Sequence, residues 1–251
     1  RHALNDDNRL GAVMDALVAG DPDALEKAGN AWWLGNLELA LSLAAAEAMI
    51  QQDAALGERV GAALASLCEL RAIPDNRNNP KPHSGRVMNV ALAYDYAFNF
   101  MTDAQRQTVR QWIARGTAGR TSHGMDLPPQ RRTYNWMPHG LMLIVGALAI
   151  EGEEGYDPKI YPKAVEVMRD FLTYGVYPEG VPREGTHYYN FGMGTGGAKA
   201  MITFAKRGDN LFGHPHYYAP RNWYAHVIEP FGYAFAMHGD VPNDSGGIYE
   251  N

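Results

Sequence analysis

With 251 residues, 46% of them apolar and 20% charged, the chain is long enough for one large domain or two small ones and too apolar to be disordered. Its 22 basic and 28 acidic side chains leave a formal charge of −6, which excludes a general basic surface of the kind that binds nucleic acid but not a local basic groove for an acidic polymer. The single cysteine, Cys68, excludes an internal disulfide framework, and its Ala/Leu-rich surroundings predict a buried, inert thiol.

In chain order the pattern is mostly helical. Leu37 to Gln51 is built from Leu, Ala, Met and Glu, all strong helix formers. Glu58 to Leu70 places Val60, Ala63, Leu64, Leu67 and Leu70 at helical spacing. Arg86 to Phe100 is apolar and aromatic, and Thr102-Asp103-Ala104-Gln105 is a capping-box signature that opens a helix to about Ala114. Further helices are predicted over His139 to Ala149, Pro162 to Leu172, Gly197 to Lys206 and Trp223 to Met237. Between them lie polar segments, Pro74 to His83, Gly116 to Arg132, Tyr174 to His187 and Arg207 to Pro220, rich in Pro, Gly, Arg, His and Tyr. No run of alternating β-branched residues interrupts the helices. Helix pairs joined by long, chemically loaded loops predict an all-α fold, an (α/α)n toroid whose loops build a site on one face. This is taken as a single domain over residues 1–251. No apolar run reaches membrane length, so no membrane partner is expected. The opening Arg1-His2-Ala3-Leu4 shows no signal peptide and the closing Gly246 to Asn251 reads as a loop, so the chain is expected to be a fragment of a longer protein.

Two stretches carry the chemistry. Tyr177 to Met193 packs Arg183, Glu184, His187, Tyr188, Tyr189 and Asn190 into eight positions, and Tyr134 to Gly140 precedes an apolar helix. If that helix starts near Trp136, Asn135 sits at its cap and His139 lies one turn along, so both can face one cavity. β-Elimination of a uronate needs this kind of set. The carboxylate must be neutralised and the developing enolate-like charge stabilised, which Asn, His and Arg donors can do. A base must take the C5 proton and an acid must protonate the departing oxygen; a tyrosine with a lowered pKa can do both. Asn135, His139, Arg183 and Tyr188 make such a set, with no metal or other cofactor required. Tyr189, Trp136, His187, Glu184, His83 and the basic pair Arg131 and Arg132 are the candidates for holding an acidic glycan.

Blander roles stand beside these. Tyr188 and Tyr189 can be core aromatics with a polar tip, Asn135 can merely cap the helix, and Arg183 and Glu184 can pair with each other. His214-Pro215-His216, with His226, His238 and Asp240 downstream, matches no standard zinc spacing. Gly192-Met193-Gly194-Thr195-Gly196-Gly197 fits the letter of a dinucleotide fingerprint but follows no buried strand; its glycines fit close packing around a groove better.

Tyr134-Asn135-Trp136-x-x-His139-Gly140 resembles the Asn/His segment of heparinase II/III-like and alginate lyases. His187 to Met193 is similar to the Tyr-His-Asn-Tyr-Ala-Leu segment of alginate lyases, whose first tyrosine is the acid/base; that role falls on Tyr188. Ala93-Tyr94-Asp95-Tyr96, followed by Phe100 to Arg106, resembles a helix pair of the heparinase II/III-like toroids, and His238-Gly239-Asp240 a Gly-Asp loop later in that fold. The resemblance spans about Arg86 to Asp244. Here three residues separate Asn135 from His139, where alginate lyases commonly have Asn and His adjacent; the Arg-to-Tyr spacing differs, and no C-terminal β-sandwich is visible. The resemblance implies a polysaccharide lyase acting on alginate, glucuronan or a heparin-like chain, in the periplasm or outside the cell. Two other functions remain open. One is a glycoside hydrolase using two of Glu179, Glu184, Asp126 and Asp240; the other is a non-catalytic glycan-binding domain.

Overall fold

The computed structural model describes residues 7–21, 23, 37–70, 81–118 and 127–227; the side chains of residues 7–9, 81–83, 186, 187, 195, 224, 226 and 227 fall outside that description. The chain is all-α: among the described residues there is no strand, only one isolated antiparallel bridge between Val176 and Pro182. Among them, too, no helix is long and apolar enough to cross a membrane. Two compact units emerge, and each is a packing problem of its own.

The first unit draws its described residues from Arg1–Asn76, Gly85–Ala118 and Val145–Asp157. It holds α1 (Asp7–Val18), α2 (Leu37–Gln51), α3 (Ala54–Leu70), most of α4 (Lys81–Ala97) and α5 (Asp103–Thr117). α3 is the central element and packs against α1, α2 and α5. Its Val60, Ala63, Leu64 and Leu67 are fully buried, as their spacing predicts, and Cys68 is buried among them. Both halves of the predicted capping box form before α5: the Thr102 hydroxyl accepts from the Gln105 N–H at 3.3 Å, and the Gln105 side chain accepts from the Thr102 N–H at 2.9 Å. Tyr94, on α4, is buried and donates its hydroxyl to Glu153 at 3.0 Å, while Arg110 of α5 reaches the same carboxylate at 3.3 Å. Burial, then the Glu153 charge, holds that phenol well above its ordinary range.

The second unit takes its described residues from Arg77–Ser84, Gly119–Ile144 and Pro158–Asn251. Its elements are α6 (Trp136–Gly140), α8 (Ile160–Tyr174), α9 (Thr186–Gly192), α10 (Ala198–Lys206) and α11 (Pro215–Val227); α7 (Leu143–Ala149) begins here and continues into the first unit. α8 buries Ile160, Ala164, Val165, Val167, Met168, Phe171 and Leu172 along one stripe, with Pro162 tolerated in its first turn. Its start is tied to the end of α10: Tyr161 donates to Asp209 at 2.8 Å and Arg207 lies 4.7 Å over the Tyr161 ring.

Three expectations are corrected. The helix expected over His139 to Ala149 is two pieces, α6 and α7, broken at Leu141 and Met142. The segment Arg207 to Pro220 is not a loop throughout. Pro215 opens α11, where a missing N–H costs nothing, and Pro220 is accommodated inside the helix. The polar segment expected over Tyr174 to His187 gives way to helix at Thr186, and residues 188–196, left without an element by the sequence pattern, are helical: α9, a π-turn over Met193–Gly197 and α10 run on without leaving helical backbone. Of the predicted Trp223 to Met237 helix, everything past Val227 lies outside the described residues.

Candidate active site

The two chemically loaded stretches meet in the second unit. α6 starts at Trp136, with Asn135 at its N-cap. The Asn135 side chain makes no capping bond, so the blander role for this residue does not hold. Its backbone N–H donates instead to the Glu184 carboxylate. In a capping box this acceptor would come from the third helical residue, but that position is Pro138. Glu184 supplies it from 49 residues away, and a carboxylate there also complements the positive end of the helix.

Asn135 is 3% exposed and His139 6%. The Asn135 Oδ1 is buried and has no hydrogen-bond partner. Such an atom costs about 1–3 kcal/mol unless a ligand group or an ordered water satisfies it.

The helical rod over Thr186–Lys206 lies against α6 with almost no gap. A Cβ placed on Gly192 would stand 2.6 Å from the Asn135 carbonyl oxygen, and one on Gly196 would stand 2.5 Å from that of His139. The glycine-rich run is therefore a backbone-to-backbone contact surface. π-Turns of this kind interrupt helices where side chains must be re-aimed. On the same face the Phe191 ring stacks on His139, centroids 4.9 Å apart and 16° between planes, and Trp136 meets both edge-on at 5.8 and 6.2 Å. Tyr188 is half-buried and lies one helical turn before Phe191 and Gly192, two residues of the rod that touch α6.

Tyr189 points another way. It is buried and stacks on Phe171 of α8, centroids 6.0 Å apart, and burial raises its phenol pKa far above the ordinary value. Glu184 is half-buried, and desolvation raises its carboxyl above the usual range despite the Asn135 N–H. Tyr134 is raised by burial and by the nearby Glu184 charge, with Arg131 opposing.

Because the Glu184 pKa is raised in the folded state, its contribution to stability is present in full below the ordinary value of 4.5 and lost as pH rises through the folded value. Glu184→Gln keeps an acceptor for the Asn135 N–H without a desolvated charge. It is expected to be at least as stable as wild type at pH 7 and to flatten the stability profile just above pH 4.5; thermal melts across pH 4–8 test this.

Other candidates lie elsewhere. Arg183 and Glu184 do not pair: Arg183 is exposed and rests 4.5 Å over the Tyr177 ring. Arg131 is exposed, but Arg132 is 4% exposed, and its guanidinium bridges Glu166 at 2.7 Å and Asp170 at 2.6 Å while Nε donates to the Leu127 carbonyl. The basic pair is thus split between solvent and an internal ion bridge. Arg132→Ala strands Asp170, which is mostly buried, and should destabilise the fold by about 2 kcal/mol, read by chemical denaturation. Arg131→Ala should change stability by less than about 0.5 kcal/mol.

Glu179 is exposed. Asp126, His238 and Asp240 lie outside the described residues, as do the side chains of His83, His187 and His226. His214 and His216 stand with ring centroids 5.6 Å apart, the His214 Nδ1 accepting from the His216 N–H. No group of three metal-ligating side chains gathers among the described residues. The Glu184 contact to Asn135 and the Phe191 stack on His139 escape sequence reasoning, since neither has a local spacing signal. No family model and no curated protein matches the chain.

Proposed function

We propose that the chain is the helical core of a polysaccharide lyase that cleaves a uronic-acid-containing glycan by β-elimination. The observation that carries this reading is a buried amide and a buried imidazole, Asn135 and His139, held on one turn against the helix that bears Tyr188, with the Asn135 Oδ1 unpaired. In this scheme the Asn135 amide N–H and His139 donate to the substrate carboxylate and hold the charge that builds on it. The Asn135 Oδ1 takes a sugar hydroxyl. Tyr188 removes the C5 proton, the C4–O bond breaks, a C4–C5 double bond forms, and the departing oxygen is protonated from the same phenol. No water is consumed. The helices belong, on this reading, to an (α/α)n toroid, and the protein works in the periplasm or outside the cell on alginate, glucuronan or a heparin-like chain.

The test is a panel of these acidic polysaccharides incubated with the protein and followed for the ultraviolet absorbance of the unsaturated product. Absorbance rising with new reducing ends is the expected result. Reducing ends without absorbance would instead assign a hydrolase, with Glu184 as its first candidate acid because burial already favours its protonated form.

A further inference from the structure

In the second unit, the turn from Tyr177 to Gly180, closed by a Gly180 N–H to Tyr177 carbonyl bond at 2.8 Å, presses on α11. A Cβ on Gly180 would fall 2.2 Å from the Ala219 carbonyl oxygen, so turn and helix meet backbone to backbone there. On either side of that contact stand Tyr177, 42% exposed, and Tyr218, 49% exposed. Among the described residues these are the exposed aromatic side chains. Each carries a guanidinium against its ring: Arg183 at 4.5 Å from the Tyr177 centroid and Arg221 at 5.8 Å from that of Tyr218. Both arginines are exposed. Behind Tyr218, Tyr217 meets it edge-on at 5.0 Å and Phe212 meets Tyr217 at 5.3 Å, which stiffens the platform from below.

We infer that Tyr177, Arg183, Tyr218 and Arg221 form a second binding subsite, a platform for an acidic sugar chain. An exposed phenol ring offers a flat face to the C–H side of a sugar ring, and its hydroxyl a hydrogen bond at the rim. A guanidinium at its edge offers a planar pair of donors to a carboxylate. Turn geometry and the backbone contact keep the two tyrosine Cα atoms within about 15 Å, a span that a few sugar rings cover. Glu179, exposed on the same turn, offsets one of the two positive charges and leaves the platform net positive. A nucleic acid would call for a longer basic stripe than two arginines. The ligand class is taken from the lyase reading; the platform geometry is not. Arg183 here grips a distal sugar rather than the reacting carboxylate.

The test titrates a mannuronate hexamer and a glucuronate hexamer, and a disaccharide of each, into the protein by calorimetry, in a Tyr188→Phe background so that turnover is slow on the timescale of the titration. Tyr177→Ala/Tyr218→Ala and Arg183→Gln/Arg221→Gln are each expected to weaken hexamer binding about tenfold and leave the disaccharide unchanged; the arginine pair should also flatten the salt dependence. All four residues are exposed, so thermal melts should match the parent. Hexamer affinity within threefold of the parent in both double variants overturns the platform. So does failure of either hexamer to bind, or a single-stranded oligonucleotide bound as tightly and lost in the same variants. Hexamer binding weakened by these variants, with no ultraviolet product from the wild type, keeps the platform and rejects the lyase. Product with unweakened binding does the reverse.

Discussion

Tyr188→Phe is expected to lower kcat on the preferred uronate by about 10²–10⁴-fold, the range that a positioned proton-transfer group contributes. The substitution removes one oxygen from a half-buried ring and keeps its packing, so the fold and the Phe191–His139 stack should persist. KM should move by less than about tenfold, the worth of one hydrogen bond. A loss in kcat with KM nearly unchanged is the mark of a group used only in the transition state. Tyr189→Phe is the internal control. That phenol is buried against Phe171 and held protonated by desolvation, so its removal should leave kcat within a few-fold of wild type. If Tyr188→Phe turns over at the wild-type rate, or Tyr189→Phe is the variant that loses activity, the acid/base has been placed on the wrong residue.

That assignment leans on how much of the site is local. The helix after Thr102 is legible because its start signal lies within four residues, and both halves of the capping box form. α2 runs from Leu37 to Gln51, as its run of helix formers predicts. The meeting of α6 with the tyrosine-bearing segment is legible only as two loaded stretches; what joins them is glycine, whose message is the absence of a side chain. Arg131 and Arg132 look alike in the sequence, yet one is in solvent and the other is buried, because the partners that choose between them stand 34 and 38 residues away. The same distance problem hides Glu184, which sits beside Arg183 in the chain but takes the Asn135 N–H. α11 is missed for a different reason. Pro215 and Pro220 are strong breakers in general, but the first stands at the one helical position where proline fits, and packing overrides the second. α1 is absent from the predicted elements: Leu10, Val13, Met14 and Leu17 stand at helical spacing and the last three are buried, but no capping pair marks its start.

Gly196→Ala puts the glycine surface to the strongest test. Its new Cβ would lie 2.5 Å from the His139 oxygen, 2.6 Å from its Cα and 2.8 Å from its carbonyl carbon, all backbone atoms that cannot swing aside. The rod and α6 must therefore separate by a sizeable fraction of an ångström. Overpacking of this kind costs about 1–3 kcal/mol, with the upper end expected here because no side chain can absorb it. The activity loss should exceed what stability explains. Moving His139 and Asn135 by about 1 Å relative to Tyr188 is worth up to about 10²-fold in rate, even in the fraction that stays folded. Gly11→Ala separates this from a general cost of filling helical glycines, since its Cβ would meet only the tip of the Arg59 side chain, at 3.1 Å. It should change stability by less than about 1 kcal/mol, the helix propensity gained roughly offsetting the shift of a flexible arginine. Denaturant melts and single-turnover rates on both variants decide it. If Gly196→Ala keeps wild-type stability and rate, the two segments are not in backbone contact, and the cluster built from Asn135, His139 and Tyr188 dissolves with that contact.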